Sequence, residues 1–424
     1  MIFFRITKCL ILGLLLKCDF YNEKIIKIFL NNIYKCGVIP VKMVQWGLPL
    51  MKLLKVDKNI INVLENTYEK CPIHELEYTS KIFKNDLYDD LNNYDVLEVI
   101  GSGSIAQVYK IKDKKGNLYA LKVKHPNVDS NFNYIKLLLK IIFTFIPFNK
   151  IIPVSLDDFL NNFEKQLNLI NEGNNLIKFN NLYDKNNPLY KIPKLYKLSE
   201  NIIMMEYLEG VSLEHFKDNN YRYSKFNLFI SIFMQNNLYI NKYNHGDLHN
   251  YNWKITNDNK IVIYDYGLCW ELQNDFLLNN LNDLIDGLHD YNYDIIYTSY
   301  YNIIKYNSAI DDIIIYNYFE EHKKNITRIM DFFHHIIVFS IKHNIILDIT
   351  LLYIIISWQN IALIFMNDYC DTNEFEHNSV YMEEYSICNY YKIFPEYQQF
   401  LKKQINKYDK KINIDYNKLN KFIH

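Results

Sequence analysis

The sequence predicts a two-lobed α+β fold, in which a helical N-terminal extension precedes a small antiparallel β-rich lobe and a larger helical lobe. Three observations favour this architecture. Apolar residues follow a helical spacing up to about residue 90, short strand-like runs begin at Val96, and helical spacing returns after Ser212. We therefore expect three domains, residues 1–90, 91–210 and 211–424. A chain of 424 residues has room for all of them.

The composition is that of a globular, helix-rich protein. Hydrophobic residues make up 49% of the chain, which contains only 11 Gly and 9 Pro, and this excludes a largely disordered chain. With 47 basic and 48 acidic residues the chain carries no broad positive field, so we expect no nucleic-acid partner. The 7 cysteines include no C-x-x-C pair and are interpreted as reduced thiols. The adjacent His334 and His335 would point about 100° apart on a helix, so we predict no metal site there.

Two apolar runs raise the question of a membrane. Residues 9–16 follow Arg5 and Lys8, but a spanning helix needs about 20 apolar residues. Four interpretations of this run remain open: a secretory signal, a mitochondrial or other organellar presequence, an interfacial helix that would make the protein membrane-associated, or a first core helix. The sequence thus leaves the compartment open. The second run, residues 349–358, lies between polar residues and predicts a buried helix of the helical lobe.

The β-rich lobe is predicted from short apolar runs joined by turns. Strands are expected at residues 96–100, 105–111, 118–123, 192–198 and 202–208. Between the third and fourth strands the spacing predicts two helices, over residues 135–145 and 158–182, because Pro147 and Pro153 interrupt the helical pattern. The lobe is expected to end at the turn that contains Gly210. Loops and short strands are expected within residues 244–268 of the helical lobe.

A small-residue turn and a lysine predict a polyphosphate site in the β-rich lobe. The turn after the first strand, which we name the phosphate loop, consists of Gly101, Ser102, Gly103 and Ser104. Its small residues let the backbone approach a polyphosphate closely, although such turns also occur in simple hairpins. Lys122 on the third strand lies 21 residues after Gly101, about the spacing at which a lysine of protein kinases reaches the α- and β-phosphates of ATP. Lys124 on the same face is the alternative.

The strongest local pattern is a loop with the H-x-D-x-x-x-x-N spacing of phosphotransferases, residues 245–252, which we name the catalytic loop. In it, Asp247 would accept the proton of an attacking hydroxyl or orient a water, and Asn252 would hold a magnesium ion. Asp265 lies thirteen residues beyond Asn252, after an apolar strand, and would be the second magnesium ligand. Magnesium prefers oxygen ligands and keeps several waters, so one carboxylate and one amide oxygen suffice beside the phosphates of ATP.

Lys122 also requires a carboxylate partner that holds it towards the phosphates. Glu164 and Glu172 are the two candidates, and their spacing alone neither decides between them nor excludes that both are surface charges. The start of the catalytic loop, His245 to His249, is also typical of aminoglycoside and choline kinases, which phosphorylate small molecules. The residues alone therefore predict an ATP-dependent enzyme without fixing its class.

These segments resemble the UbiB/ADCK family of atypical protein-kinase-like proteins over roughly residues 30–290. The resemblance is carried by residues 104–109, 121–126, 192–196 and 205–211. Lys42 and Gln45 are similar to a lysine–glutamine signature of this family, which lies on a helix folded over the active site and which ordinary protein kinases lack. The resemblance implies a protein-kinase-like fold that binds ATP and Mg²⁺.

The resemblance also implies roles for individual residues. Glu172 becomes the partner of Lys122, and Lys42 and Gln45 become part of a regulatory helix. The implied activity is phosphotransfer or ATP hydrolysis with a link to ubiquinone or other prenyl-lipid metabolism, and hence a lipid or membrane surface as a partner. The family's catalytic set is complete in this chain as Lys122, Glu172, Asp247, Asn252 and Asp265, which favours an active enzyme.

The chain departs from the family pattern around this set. Gln166 and Asn168 replace two carboxylates of an acidic helix, and Val44 stands where the family has glycine. The phosphate loop replaces an alanine-rich loop, and residues 250–251 replace Pro-Gly. Two other classes stay open beside the family interpretation: a small-molecule kinase, and a nucleotide-responsive scaffold without turnover. A contact between the helix of Lys42 and the catalytic cleft would favour the family interpretation over the small-molecule kinase. Neither the phosphate acceptor nor the oligomeric state follows from the sequence.

Overall fold

The computed structural model describes residues 23–68, 71–145, 147–183, 187–216, 218–273 and 275–366. Within these residues the α+β architecture is confirmed: a helical extension, an antiparallel sheet with flanking helices, and a helical lobe follow one another along the chain. The apolar run at residues 9–16 and the end of the predicted third domain, residues 367–424, lie outside the described residues. The division into domains at residues 1–90, 91–210 and 211–424 remains a proposal.

The extension consists of four helices, α1 (Glu23–Cys36), α2 (Val38–Leu53), α3 (Lys58–Leu64) and α4 (Leu76–Leu87). Helices α1 to α3 share a small apolar core that includes Ile33, Val41 and Leu48. The opposite side of α2 carries Trp46, whose ring packs edge-on against Phe159 and Tyr353, at 5.2 and 5.7 Å between ring centroids. Because α2 is buried on both sides, it is fixed between the rest of the extension and the main core.

The β-rich lobe is built on a five-stranded sheet. Its strands are β1 (Tyr94–Ser102), β2 (Ala106–Asp113), β3 (Leu118–Lys124), β5 (Leu195–Leu198) and β6 (Ile202–Glu206), in the order β1-β2-β3-β6-β5, and the short β4 (Tyr190–Lys191) lies outside it. Leu121 and Val123 pack in a core with Phe83 of α4. Side chains alternate along a strand, so Lys122 between them points to the opposite face of the sheet.

Three helices follow β3, where the sequence predicted two. They are α5 (Val128–Phe145), α6 (Leu156–Leu167) and α7 (Leu169–Leu182). The prediction of one helix over residues 158–182 is wrong because Asn168 has an extended backbone, with φ −91° and ψ 106°. Its side chain accepts a hydrogen bond from the backbone N–H of Ile170 and so caps a new helix, a role that asparagine favours. This break places Glu172 in the first turn of α7.

The helical lobe begins with α8 (Asn220–Gln235), which continues as a π-helical turn, Asn236–Asn241. Four short strands follow: β7 (Tyr243–His245), β8 (Trp253–Ile255), β9 (Ile261–Ile263) and β10 (Cys269–Glu271). Strand β7 pairs with β10, and β8 pairs with β9. The backbone N–H of Tyr264 donates to the carbonyl of Asn252 at 2.8 Å, and that of Gly246 donates to Leu268 at 2.8 Å. These pairings hold the catalytic loop against residues 264–268.

The remaining helices form the body of the lobe. They are α9 (Phe276–His289), α10 (Tyr293–Asn307), α11 (Asp312–His322), α12 (Ile329–Lys342) and α13 (Ile349–Met366). The apolar run at residues 349–358 is a buried part of α13, as predicted, and Leu351, Ile355 and Trp358 belong to the main core. Among the described residues, no helix combines the length and apolar character that a membrane crossing requires.

Candidate active site

A cleft of about 530 Å³ lies between the face of the sheet that carries Lys122 and the catalytic loop. Every site residue predicted from the sequence lines it: Lys42, Gln45, Gly101, Ser102, Gly103, Ser104, Lys122, Glu172, Asp247, Asn252 and Asp265. The cleft thus brings together residues from the extension, the sheet, α7 and two loops of the helical lobe.

Lys122 lies between two carboxylates. Its Nζ is 2.6 Å from Oε1 of Glu172 and 3.2 Å from Oδ1 of Asp265. The competing candidates are engaged elsewhere: Lys124 forms an ion pair with Asp129, and Glu164 forms one with Lys136, both at 2.6 Å. The geometry therefore joins Lys122 to Glu172 and not to Glu164.

The three groups of this triad shift one another's pKa. Burial would lower the pKa of Lys122, but Asp265 and Glu172 outweigh it and raise that pKa above its ordinary value. Burial would raise the pKa of Asp265, but Lys122, then Lys42, outweigh it and hold that pKa well below its usual range. Burial raises the pKa of Glu172, an effect that Lys122 opposes. The side chain of Asp265 is still 43% exposed, so its carboxylate is accessible from the cleft.

The backbone of Asp265 is unusual. Its φ is +52°, in the left-handed region that residues other than glycine seldom adopt. The backbone N–H of Gly267 donates to its Oδ1 at 3.2 Å. Such backbone conformations concentrate at functional sites, where the surrounding structure holds them in place. At this position the turn directs the carboxylate towards Lys122.

Helix α2 reaches the catalytic loop through Lys42. Its Nζ lies 3.1 Å from Oδ2 of Asp247, and the two side chains are only 9% and 14% exposed. Burial would raise the pKa of Asp247, but the neighbouring charges, Lys42 foremost, outweigh it, so the pKa lies below its ordinary value. Asp247 is thus an ionised acceptor whose present partner is a lysine of the extension.

Gln45 lies one turn further along α2. Its side chain forms a hydrogen bond within the extension and not with the catalytic loop. Its Nε2 donates to the carbonyl of Thr67 at 2.6 Å, and the hydroxyl of Tyr68 donates back to the carbonyl of Gln45 at 3.2 Å. Thr67 is fully buried. Gln45 therefore fastens the segment that leads from α3 into the cleft.

Tyr68 and His249 also line the cleft, although neither was predicted as a site residue. The ring of Tyr68 lies 4.2 Å from that of His249, measured between centroids. Nε2 of His249 lies 3.2 Å from Nδ2 of Asn252, and the same nitrogen of Asn252 donates to the backbone carbonyl of Asp247 at 2.8 Å. His249 belongs to the pattern that led to the catalytic loop, whereas no sequence signal marks Tyr68.

The phosphate loop is tied to the extension. The hydroxyl of Ser102 donates to the carbonyl of Pro72 at 3.0 Å, and the N–H of Cys71 donates to the carbonyl of Ser102 at 3.2 Å. Ser102 is therefore held by the extension, although it was predicted as a nucleotide ligand. A methyl group added to Gly101 would meet nothing within 4 Å, and one added to Gly103 would meet only the carbonyl of Ala106, at 3.8 Å. The two glycines leave open space in the cleft.

A pair of histidines, which no sequence pattern predicts, supports the same loop. Nε2 of His125 lies 3.1 Å from the carbonyl of Gly103, which can only accept, so His125 donates to it. Nδ1 of His125 lies 2.8 Å from Nδ1 of His74. His74 in turn contacts the hydroxyl of Thr79 at 2.9 Å through Nε2. The chain of contacts connects α4 to the phosphate loop.

The oxygen donors of the cleft fit a magnesium ion. Nδ2 of Asn252 is engaged by the loop itself, so Oδ1 is the atom left for a cation. The carboxylate of Asp265 is ionised and accessible. Within the described ranges no three His, Cys, Asp or Glu side chains lie close enough together to hold a metal alone. One amide oxygen and one carboxylate match the few protein ligands that magnesium takes beside phosphates and waters.

Comparison with known proteins identifies relatives. Residues 66–299, more than half of the chain, match the family model described as ABC1 atypical kinase-like domain. The chain is 27% identical over 235 residues to the probable serine/threonine-protein kinase abkC of Dictyostelium discoideum, covering 53% of this chain and 34% of that protein. It is 27% identical over 237 residues to AarF domain-containing kinase 1 of Drosophila melanogaster, covering 52% and 45%. The chain thus spans less than half the length of these relatives.

A solved structure also aligns with the fold. It is the complex of Rv3197 with erythromycin from Mycobacterium tuberculosis, which is 17% identical to this chain, with a TM-score of 0.46. The alignment covers 66% of this chain and 71% of that one.

Proposed function

Because the chain belongs to the ABC1 atypical kinase-like family, which is the UbiB/ADCK family that its motifs resemble, we propose that it is a Mg-ATP-dependent phosphotransferase or ATPase. One observation carries this proposal: the ammonium of Lys122 lies between Glu172 and Asp265 in a cleft that also contains Asp247 and Asn252. This set is the one that phosphoryl transfer requires, since the reaction depends on positioning and on charge stabilisation.

In this proposal the β-rich lobe holds the polyphosphate. Lys122 donates to the α- and β-phosphates, and Glu172 keeps its ammonium directed into the cleft. The open space beside Gly101 and Gly103 leaves room for phosphate oxygens near the backbone. Asn252 and Asp265 would hold magnesium, which when bound neutralises charge on the phosphates. All of these side chains and both glycines line the cleft, so no change of fold is needed to bring them together.

Asp247 is the proposed proton acceptor. Its lowered pKa keeps the carboxylate ionised near neutral pH, as a group that orients a hydroxyl or a water must be. Its Oδ2 now contacts Lys42, so a substrate hydroxyl can reach this oxygen only by displacing or sharing the ammonium. This contact between α2 and the cleft supports the family interpretation over a small-molecule kinase of the aminoglycoside or choline kinase type.

The same contact favours a second candidate, a nucleotide-responsive scaffold. If Lys42 holds Asp247 permanently, the cleft binds Mg-ATP without turnover, and the output is a movement of the extension. Measurement of phosphate release from ATP separates the two candidates. Slow but saturable release that is lost in Asp247→Asn supports the enzyme, and nucleotide binding without release supports the scaffold.

The proposed biological role is in lipid metabolism. The family resemblance supports a link to ubiquinone or other prenyl-lipid metabolism at a membrane, including a mitochondrial one. This role predicts that vesicles containing a prenylated quinone increase the rate of ATP hydrolysis above that seen with lipid-free protein. An unchanged rate would count against a lipid partner and leave the ATPase proposal intact.

Thermal unfolding tests nucleotide binding directly, because a ligand that binds only the folded state raises the unfolding temperature. We expect Mg-ATP to stabilise the wild type, by about 2.7 kcal/mol at a hundredfold excess over Kd. In Asp265→Asn, the rise in unfolding temperature caused by ATP should lose most of its dependence on magnesium. Asp258→Asn is the matched control, since Asp258 pairs with Lys191 outside the cleft. A wild type that unfolds at the same temperature with and without Mg-ATP would contradict the proposal.

A further inference from the structure

His249 holds a position that the proposed roles leave unused. It lies two residues after Asp247 and three before Asn252, and it lines the cleft. One face of its ring contacts Tyr68. Its Nδ1 is buried and has no hydrogen-bond partner in the described part of the chain. Its Nε2 is therefore the ring atom through which it can act on a neighbour.

The orientation of the Asn252 amide follows from its contacts. The backbone carbonyl of Asp247 can only accept a hydrogen bond, so the amide atom 2.8 Å away from it must be Nδ2. The same Nδ2 lies 3.2 Å from Nε2 of His249. A carboxamide nitrogen carries two hydrogens, and these two acceptors engage both of them. Oδ1 is left on the other side of the amide.

The distances from Nε2 of His249 to its two polar neighbours show whether this nitrogen carries a hydrogen. If Nε2 carried a hydrogen, its partner would be Oδ1 of Asp247, which lies 3.6 Å away, beyond a normal hydrogen bond. The amide nitrogen of Asn252 is closer and offers a hydrogen. Nε2 is thus the acceptor, and the ring carries its hydrogen on Nδ1. The contact with Tyr68 covers one face of the ring and opposes its rotation.

We propose that His249 is a positioning residue, whose Nε2 accepts a hydrogen bond from Asn252 and thereby turns the carboxamide oxygen of Asn252 towards a divalent cation. This inference rests on the proposed function, in which Asn252 binds magnesium. Without the acceptor, only the Asp247 carbonyl would restrain the amide, and rotation would place hydrogens where the cation requires an oxygen. Loss of a group that orients a metal ligand typically weakens metal affinity by about 10- to 100-fold.

The test measures the factor by which Mg²⁺ tightens ATP binding to the full chain, from ATP titrations with Mg²⁺ and with a chelator. His249→Phe retains a ring beside Tyr68 but removes the acceptor, and His249→Leu is a second variant without an acceptor. His249→Gln restores an acceptor oxygen near the position of Nε2. Thermal unfolding without nucleotide identifies the variants that fold.

We expect the factor to fall about 10- to 100-fold in His249→Phe and His249→Leu and to recover in His249→Gln. If Mg²⁺ strongly tightens ATP binding to the wild type and does so equally in the Phe and Leu variants, the proposed role of His249 is overturned. The proposed function would then be unaffected. A Gln variant that is as impaired as the Phe variant would also overturn this role, because loss of the hydrogen-bond acceptor would then not explain the weaker effect of Mg²⁺. If Mg²⁺ does not tighten ATP binding to the wild type, the proposed function fails first, and this inference fails with it.

Discussion

The ammonium of Lys42 lies 3.1 Å from the carboxylate of Asp247, although 205 positions separate the two residues in the sequence. The pair joins helix α2 of the extension to the catalytic loop. Because both side chains are almost completely buried, the contact is little screened by solvent. The extension is therefore part of the electrostatic environment of the cleft, and a change in its position must alter the charge around Asp247.

Replacing Lys42 with methionine should increase the rate of ATP hydrolysis. The substitution removes the ammonium that now occupies Asp247, so a hydroxyl or a water can approach the carboxylate. It should also raise the pKa of Asp247, because Lys42 is the main group that lowers it. Phosphate release at saturating Mg-ATP measures the effect, and we expect a severalfold increase.

Lys52→Met provides the control for Lys42→Met. Lys52 lies on the same helix but pairs with Glu65 at 2.7 Å, and it does not line the cleft. We expect its hydrolysis rate to equal that of the wild type. A Lys42→Met protein that folds but hydrolyses ATP no faster would show that the helix does not restrain the proposed reaction.

Replacing Glu172 with glutamine should weaken ATP binding. The buried carboxylate holds Lys122 at 2.6 Å, and its loss leaves Asp265 as the only carboxylate partner of that ammonium among the described residues. Hydrogen bonds to charged groups contribute about 1.5–3 kcal/mol, which corresponds to a loss of affinity of roughly 10- to 150-fold. Direct titration of Mg-ATP measures the change.

Glu164→Gln is a closely matched control, because Glu164 was the other candidate partner of Lys122. In the structure it pairs with Lys136 and is half exposed. Exposed ion pairs contribute little, so its ATP affinity should equal that of the wild type. Equal losses of affinity in both variants would contradict the assignment of Glu172 as the partner.

The order of the secondary structure was largely predictable, because apolar periodicity is a local property. The strands β1 to β3 begin and end within two residues of their predicted limits. The break at Asn168 was missed, since asparagine is tolerated inside helices and its capping bond to Ile170 shows only in three dimensions. Helix α5 likewise begins at Val128 and not at residue 135. Such boundaries depend on caps and packing more than on periodicity.

The site residues that could be predicted best from the sequence are those on two loops that are close together in the chain. Asp247, Asn252 and Asp265 have a recognisable spacing because strands β8 and β9 fix the distance between those loops. Tyr68 and His74 have no such signal. They reach the cleft and its phosphate loop only because the extension folds back onto both lobes, and contacts between distant segments leave no local pattern.

His74 should make the stability of the protein depend on pH. Burial, and then the neighbouring His125, lower the pKa of His74 to about 4. The unfolded chain, with an ordinary histidine pKa of about 6.5, therefore binds the proton more tightly than the folded protein does. The neutral ring favours folding fully above about pH 6.5, and this contribution is lost as the pH falls from there towards 4. Urea unfolding at pH 7.5, 6 and 5 measures the loss.

His74→Gln should show a shallower decline of the free energy of unfolding over this range, because glutamine does not titrate. His215→Gln is the control, since His215 is exposed, and its decline should parallel that of the wild type. If His74→Gln loses stability as steeply as the wild type, then His74 is not the group responsible for the dependence on pH.

Enlarging Gly103 should weaken nucleotide binding without weakening the fold. Its φ is not positive, and an added methyl group would meet only the carbonyl of Ala106, at an ordinary contact distance of 3.8 Å. Alanine therefore fits in the absence of ligand, and we expect valine to fold as well, but both side chains occupy space that phosphate oxygens would use. Overpacking costs about 1–3 kcal/mol, so Mg-ATP affinity should fall by about 5- to 150-fold, more for valine than for alanine. Unchanged affinity in a stable Gly103→Val protein would place the phosphates elsewhere in the cleft.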